Sequence, residues 1–288
     1  MNKPKVYQHK PLQLILMLIL FAFLIVFSFF NIGTDEVYIL IRLGVFLGLL
    51  FFAALYSMTV KTIISDTEIS TQSILGTKSL SWSEISSVSG RGNSIKLRNL
   101  DGDVTVTPNQ HLPGYTEVIE WIGAKRPDLF DPLAYSEMKR GWFILFPAVL
   151  IVVLFMAGLL GSGLMLFNGS ETPVTILMPL IFITVIAMVF FGMILSSPQS
   201  VTLDGKSMLV KYFFSEKTLL TDEVKSVELR FTQTRNGKNY FVQLSQTNKK
   251  SIRISGLSIG LPIVYLVLKN WHKKHSEISL TTQNNFFN

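Results

Sequence analysis

Seven basic residues in the last third of the chain are the strongest candidates for a binding function. They lie in predicted turns and short strands: Lys206, Lys211, Arg235, Lys238, Lys249, Lys250 and Arg253. Residues 196–288 contain thirteen basic and six acidic residues, whereas residues 61–141 contain nine basic and ten acidic ones. The net charge of the C-terminal segment therefore equals the +7 of the whole chain.

A basic surface of this kind attracts anionic lipids, with about 1 kcal/mol for each basic residue near the headgroups. The segment is therefore predicted to bind anionic lipid headgroups or a protein partner. A plainer interpretation, that the charges only keep the domain soluble and oriented, fits the sequence equally well. Nucleic acid is not expected as a partner, because no aromatic residues alternate with the charges to stack on bases.

The sequence contains no recognisable catalytic motif. There is no cysteine, which excludes a thiolate nucleophile and a disulfide. His272 and His275 could share a helix face, but Lys273 and Lys274 between them make a poor cation site. No phosphate-binding glycine loop, nucleophile elbow or zinc-protease motif occurs. The sequence therefore predicts a non-enzymatic protein without a metal or cofactor.

Apolar residues are concentrated in four runs that are nearly free of charge: residues 12–30, 37–58, 142–167 and 174–195. Only 16% of the chain is charged and its mean hydropathy is +0.41. About 20 residues of helix are needed to cross a hydrocarbon core of roughly 30 Å. These runs predict a multi-pass α-helical membrane protein with four transmembrane helices.

The distribution of Lys and Arg around the runs predicts an orientation. Lys3, Lys5 and Lys10 precede the first run, whereas the short connections at 31–36 and 168–173 contain no basic residue. Because basic residues are retained on the cytoplasmic side, both termini and the long central segment are predicted to be cytoplasmic. The predicted location is the cytoplasmic membrane.

Small residues inside the apolar runs predict close helix packing. Gly44 and Gly48 form one such pair, and Gly158 and Gly161 form another. Packing within the chain is the favoured interpretation, with a homo-oligomer as the alternative. Arg42 is the one ionisable residue inside a run, and its long side chain is expected to reach the headgroups. The alternative function is a membrane enzyme or transporter-associated subunit with a site between the hairpins.

The chain repeats one pattern twice, each time after a pair of apolar runs. Residues 66–88 and 204–227 both begin at an Asp, turn at a Lys, and end with an acidic residue, a β-branched residue and Val. The predicted segments are a tail with the first hairpin (1–60), a first cytoplasmic domain (61–141), the second hairpin (142–197), a second cytoplasmic domain (198–275) and a flexible tail (276–288).

Each predicted domain has strands first and a single helix last. Residues 95–98 and 104–107 alternate apolar and polar around Asp101 and Gly102, which predicts a hairpin. Apolar residues then recur at helical spacing in both copies. The two stripes are Tyr115, Val118, Ile119 and Ile122, and, 146 positions later, Leu261, Val264, Tyr265 and Leu268. Each domain is therefore predicted to be a small α+β unit, with a curved antiparallel sheet capped by a C-terminal helix.

This arrangement resembles the bacterial pleckstrin-homology-like (PH-like) membrane proteins. The residues that carry the resemblance are the segment 81–85 (SWSEI) and the helix from Tyr115 to Arg126. The second copy keeps Glu223 and Val224 of this motif but lacks its Trp. The resemblance implies a tandem of membrane-tethered PH-like modules, and it implies no particular ligand.

Overall fold

The computed structural model describes residues 3–9, 19, 21, 23, 44–49, 51–52, 55–56, 59–141, 145–167, 173–234, 237–247 and 249–284. Within the long helices after residue 145, only part of the side chains is described. The chain divides into two compact units. The first contains Met1–Val88 and Ser94–Leu129, and the second contains Ser89–Asn93 and Phe130–Asn288.

Unit 1 consists of two small sheets and one helix. The first sheet has the order β1-β2-β3-β4, and the second has the order β5-β6-β7. Helix α1 follows and is continued by a 3-10 turn. The bounds are β1 Lys5–Tyr7, β2 Lys61–Ile64, β3 Glu68–Ser73, β4 Gly76–Ser81, β5 Ser87–Ser89, β6 Lys96–Arg98, β7 Thr105–Val106, α1 Tyr115–Lys125 and the 3-10 turn Pro127–Phe130.

Helix α1 lies where its apolar spacing predicts. Its four stripe residues, Tyr115, Val118, Ile119 and Ile122, are all buried. They complete a core with Ile69 of β3 and Leu97 of β6, among other side chains that are shielded from solvent. The predicted hairpin around Asp101 is also present, since Leu97 pairs with Val106 across it.

Unit 2 repeats this layout and also contains a pair of long helices. Its sheets have the orders β8-β9-β10-β11 and β12-β13-β14, and helix α4 ends the described chain. The bounds are β8 Glu137–Lys139, α2 Leu145–Phe167, α3 Pro173–Ser196, β9 Ser200–Asp204, β10 Ser207–Lys211, β11 Glu216–Leu220, β12 Val224–Thr234, β13 Gly237–Gln246, β14 Ile252–Ile254 and α4 Leu261–Asn284. The predicted stripe of α4 is buried at all four positions, Leu261, Val264, Tyr265 and Leu268.

The strand pairing of the two units is the same. Ile69 pairs with Leu80 in unit 1, and Met208 pairs with Leu219 in unit 2, each 139 positions later. Val106 and Ile252, which are 146 positions apart, both pair with the preceding strand. The offset changes within the hairpin β12–β13, whose strands of 11 and 10 residues are much longer than β5 and β6.

Helix-to-sheet hydrogen bonds are also repeated, but with different side chains. Lys125 Nζ donates to the carbonyl oxygen of Asp66 at 3.3 Å, and Trp271 Nε1 donates to that of Gly205 at 2.8 Å. Equivalent glutamates accept a hydrogen bond from the backbone at the end of β4 and β11. Glu84 accepts from the N–H of Ser81 at 3.0 Å, and Glu223 accepts from that of Leu220 at 3.3 Å.

The predicted four-span architecture is corrected by the structure. Over the residues that the structure describes, no helix is both long enough and apolar enough to cross a membrane. In the first two apolar runs the longest described stretch is Gly44–Leu49. Helices α2 and α3 have 23 and 24 residues and many exposed apolar side chains, but their described side chains do not form a continuous run of spanning length. The same finding contradicts the predicted multi-pass location in the cytoplasmic membrane.

Several predictions about segment boundaries and helix packing stay predictions. The strand β8, inside the predicted first domain (61–141), pairs with β9 of the second unit. Helix α4 continues to Asn284, beyond the predicted domain end at residue 275. A Cβ atom added at Gly44, Gly48 or Gly161 would meet no described atom within 4 Å. Helix α2, which contains Gly158 and Gly161, packs on α3.

Candidate anion-binding cleft

A cleft of about 730 Å³ lies in unit 2 between the end of α3, the hairpin β10–β11 and the strand β14. Three cationic side chains line it: Lys217, Lys250 and Arg253. Hydroxyl groups of Ser196, Ser215 and Ser251 lie among them. Apolar and aromatic side chains form the rest of the wall, namely Leu195, Tyr212, Phe214 and Ile252. No carboxylate is present among these described lining residues.

The period of two in β-strands accounts for one of the three cations on this surface, Arg253. Arg253 lies between Ile252 and Ile254, which are 4% and 0% exposed, so its side chain points away from the core. Lys217 is opposite the buried Val210 in the ladder of β10 and β11, yet its side chain is solvent-exposed. Lys250 is exposed in the segment that leads into β14.

The three cations of the cleft are not neutralised by any carboxylate in the described part of the chain. The ammonium of Lys217 lies 5.8 Å from the ring centroid of Tyr212. The guanidinium of Arg253 lies 4.6 Å from that of Phe241. Such cation–π contacts position a cation without cancelling its charge. Burial raises the pKa of Tyr212, so its phenol stays neutral and can donate a hydrogen bond.

Two of the seven basic residues singled out in the sequence meet in this cleft, Lys250 and Arg253. Two others form ion pairs elsewhere. Lys211 lies 2.8 Å from Glu216, and Lys249 lies 2.8 Å from Glu223. The hydrogen bond from Lys249 is the largest influence that lowers the pKa of Glu223.

Lys238 and Lys206 do not line the cleft. The ammonium of Lys238 lies 4.8 Å from the ring centroid of Phe231. Lys206 lines a smaller cavity of about 180 Å³ together with Asp222 and His275. Burial, followed by the charges of Lys274 and Lys206, lowers the pKa of His275. Arg235 lies outside the described residues, as does Arg42 of the second apolar run.

Sequence reasoning missed Lys217, although a signal for it was present. Lys78 occupies the equivalent position of the first copy, 139 residues earlier. Each lysine comes three residues after an apolar residue of its hairpin turn, Leu75 or Phe214. Lys78 lines an equivalent cleft of about 480 Å³ in unit 1. Aligning the two copies strand by strand would have placed Lys217 at the position of Lys78 and Arg253 at the position of Thr107.

The cleft of unit 1 has the same position but a different charge. Thr105 and Thr107 take the places of Ser251 and Arg253 there, 146 positions earlier. Its other polar lining consists of Thr71, Ser73 and Thr77, and Lys78 is the single cation among the described lining residues. The two clefts therefore differ in charge: among the described lining residues, that of unit 1 has one cation and that of unit 2 has three.

No group of three or more His, Asp and Glu side chains in the described part of the chain could hold a metal ion. The cleft itself offers amines, a guanidinium and hydroxyls, which are donors for anionic oxygens and not ligands for a hard cation. Its geometry is therefore suited to an anion.

Comparison with protein-family models, with curated proteins and with solved structures gives no match for this chain. The resemblance to bacterial PH-like membrane proteins is thus contradicted, because no family model supports it and no described helix spans a membrane. The motif that suggested it has a local cause, since Glu84 caps the turn after β4 through the N–H of Ser81.

Proposed function

We propose that this protein is a non-enzymatic binding protein whose second unit holds the phosphate of an anionic lipid headgroup in the cationic cleft. The observation that carries the proposal is the convergence of Lys217, Lys250 and Arg253 without a neutralising carboxylate among the described residues. Charge-assisted hydrogen bonds to phosphate oxygens are about twice as strong as neutral ones. An anion that enters the cleft replaces repulsion between three cations with such bonds.

The residues that line the cleft support a function in binding rather than in catalysis. Its described lining contains neither histidine nor carboxylate that could act as a general base near neutral pH. The hydroxyls of Ser215 and Ser251 therefore lack an activating partner within the lining. They are suited to donate hydrogen bonds to phosphate oxygens.

Calorimetric titration of the purified full-length chain tests the proposal. The three probes are dihexanoyl phosphatidic acid, dihexanoyl phosphatidylcholine and inorganic phosphate. We expect the anionic lipid to bind and the zwitterionic lipid not to bind, with an affinity that falls as salt screens the charges. Inorganic phosphate binding as tightly as the lipid would indicate a site for free phosphate and would overturn the lipid part.

Replacing Lys250 and Arg253 with glutamine is expected to weaken the binding of phosphatidic acid by roughly 30-fold, from about 1 kcal/mol for each cation. The matched control replaces Lys225 and Lys274 with glutamine, because both are exposed, lie outside the cleft and change the net charge equally. Thermal melting verifies that the double variant is folded. Equal losses in the two variants would show a non-specific charge effect and would overturn the proposed site.

A further inference from the structure

The hairpin tip between β10 and β11 exposes two large aromatic side chains. Phe213 is 55% exposed and Phe214 is 79% exposed. Their ring centroids are 4.7 Å apart in an edge-to-face arrangement, so the two rings form one projecting apolar group. The backbone closes tightly below them, since the N–H of Tyr212 donates to the carbonyl oxygen of Ser215 at 2.7 Å.

Unit 1 carries an apolar pair at the same position. Ile74 is 48% exposed and Leu75 is 72% exposed, 139 positions before the two phenylalanines. They lie in the turn between Ser73 and Gly76, which pair at the ends of β3 and β4. Two-residue hairpin turns ordinarily contain Gly, Asn or Asp. Apolar residues at both tips are therefore not explained by the needs of the turn.

Each tip adjoins a cleft that offers cations and hydroxyls but no carboxylate among its described lining residues. Phe214 lines the cleft that contains Lys217, Lys250 and Arg253. Leu75 lines the cleft of unit 1, which contains Lys78 and several threonines. An apolar group beside a positive, hydrogen-bonding surface is complementary to a layer of anionic headgroups with an apolar layer beneath it.

We propose that each hairpin tip, Ile74–Leu75 in unit 1 and Phe213–Phe214 in unit 2, inserts into the apolar layer of an anionic lipid surface. The inference rests on the proposed function, because the cleft beside Phe214 holds the headgroup phosphate while the rings enter the layer below. It adds a second contact of different physical origin. Headgroup binding depends on charge and salt, whereas insertion depends on apolar area and is insensitive to salt.

Vesicle cosedimentation with the full-length chain measures the contribution of the tips. The vesicles contain phosphatidylcholine with or without phosphatidylglycerol. Replacing Phe213 and Phe214 with serine is expected to reduce partitioning onto the anionic vesicles by on the order of a hundredfold. Replacing Ile74 and Leu75 with serine is expected to reduce it to a smaller extent, because the aliphatic pair is less exposed.

The matched control is the pair Leu100→Ser and Leu133→Ser. These leucines are 85% and 75% exposed, so on average they are more accessible than the residues of either tip, but they belong to other turns. We expect their replacement to leave partitioning unchanged. Equal loss in the control and tip variants would overturn the proposal, since any exposed apolar residue would then suffice.

A fluorophore that responds to polarity detects insertion directly. The chain has no cysteine, so a single cysteine at Phe214, Leu75 or the control position Leu133 can be labelled selectively. On anionic vesicles, the label at Phe214 and at Leu75 should shift to shorter wavelength and be protected from an aqueous quencher. The label at Leu133 should do neither. Labels at the tips that stay fully quenchable would overturn the inference.

The two proposals fail in different ways. If dihexanoyl phosphatidic acid binds but the tip labels remain in water, the headgroup site stands and the insertion is wrong. If the tips insert equally well into vesicles without phosphatidylglycerol and the Lys250→Gln/Arg253→Gln variant is unaffected, the tips stand and the headgroup site is wrong. If the chain does not partition onto lipid vesicles but forms a complex with a protein through the tips, the tips are assigned to a protein partner instead.

Discussion

Two equivalent residues, Arg126 at the end of α1 and His272 in the middle of α4, show how one contact can be made by different chemistry. Arg126 donates to the carbonyl oxygens of Trp82, at 2.7 Å, and of Ile85. In unit 2 the ring nitrogen Nε2 of His272 lies 2.6 Å from the carbonyl oxygen of Val224, which is equivalent to Ile85. Each of these equivalent carbonyls belongs to the residue that follows the capping glutamate of its turn, Glu84 in unit 1 and Glu223 in unit 2. The contact therefore joins the helix to the sheet in each unit.

Replacing Arg126 with methionine is expected to lower the free energy of unfolding of unit 1 by about 1–3 kcal/mol, because two carbonyl oxygens lose their donor. Thermal melting of the full-length chain, followed by tryptophan fluorescence, measures the change. Arg98→Met is the matched control, since the side chain of Arg98 is exposed on β6. A variant that melts like the control would show that the contact contributes nothing to stability.

The same residue carries a pH dependence. Arg126 also contacts Asp128, with its Nη2 at 2.6 Å from Oδ2, and this hydrogen bond lowers the pKa of the Asp128 carboxyl. A lowered pKa in the folded state contributes stability above the ordinary value near 4, and this stability is lost as the pH falls through the lowered value. The contribution is small, since the side chain of Asp128 is 59% exposed. The Arg126→Met variant should therefore lose less stability below pH about 4 than the wild type.

At the scale of elements, each C-terminal helix contributes a buried apolar stripe to the core of its unit. Ile119 of α1 and Tyr265 of α4 are 0% and 2% exposed. Each lies at the centre of a stripe that the helical spacing predicted from the sequence. The helix completes the core of its unit, because the two small sheets alone leave one side of their apolar residues uncovered.

Replacing Ile119 with aspartate is expected to abolish the cooperative unfolding of unit 1, because an unpaired carboxylate would be buried at the cost of more than about 4 kcal/mol. Thr116→Asp is the matched control, since it adds the same charge to the first turn of α1, where the helix dipole favours it. Circular dichroism and tryptophan fluorescence report the melting. Unchanged melting of the Ile119→Asp variant would show that the assigned core face is wrong.

At the scale of the whole molecule, the two units have the same strand pairing but differ in the charge of the equivalent cleft that each contains. Positions 104 and 107 of unit 1 hold Val and Thr where unit 2 holds Lys250 and Arg253, and both clefts retain a lysine, Lys78 or Lys217. The difference follows from side chains alone, because the strand registers that position them are equivalent.

Introducing Val104→Lys and Thr107→Arg is therefore expected to create a second site for phosphatidic acid. Calorimetry of the full-length chain should show the stoichiometry rise from one to two, with the second affinity within about tenfold of the first. The control makes the same substitutions as Gln72→Lys on β3 and Ser79→Arg on β4, because both positions are exposed and neither lines the cleft of unit 1. Unchanged stoichiometry in a folded Val104→Lys/Thr107→Arg variant would show that the cations alone do not make the site.

The elements near in sequence could be predicted because their signals are local. Alternation over four residues predicted the hairpin around Asp101, and helical spacing predicted the buried stripes of α1 and α4. The repeat was also readable, since the equivalent residues keep a constant offset within each sheet. The length of the apolar runs predicted four spans, and this prediction is wrong, because over the described residues no helix is both long enough and apolar enough to cross a membrane.

Only the tertiary structure decided which cations line one cleft. Lys211 and Lys249 looked as suitable as Lys250 in the sequence, yet the fold brings each of them to within 2.8 Å of a glutamate. Lys217 and Arg253 are 36 positions apart, and the hairpin β10–β11 and strand β14 bring them to one cleft. Charge content is a property of composition, whereas the convergence of charges depends on register and hairpin length, which are set by contacts between distant segments of the chain.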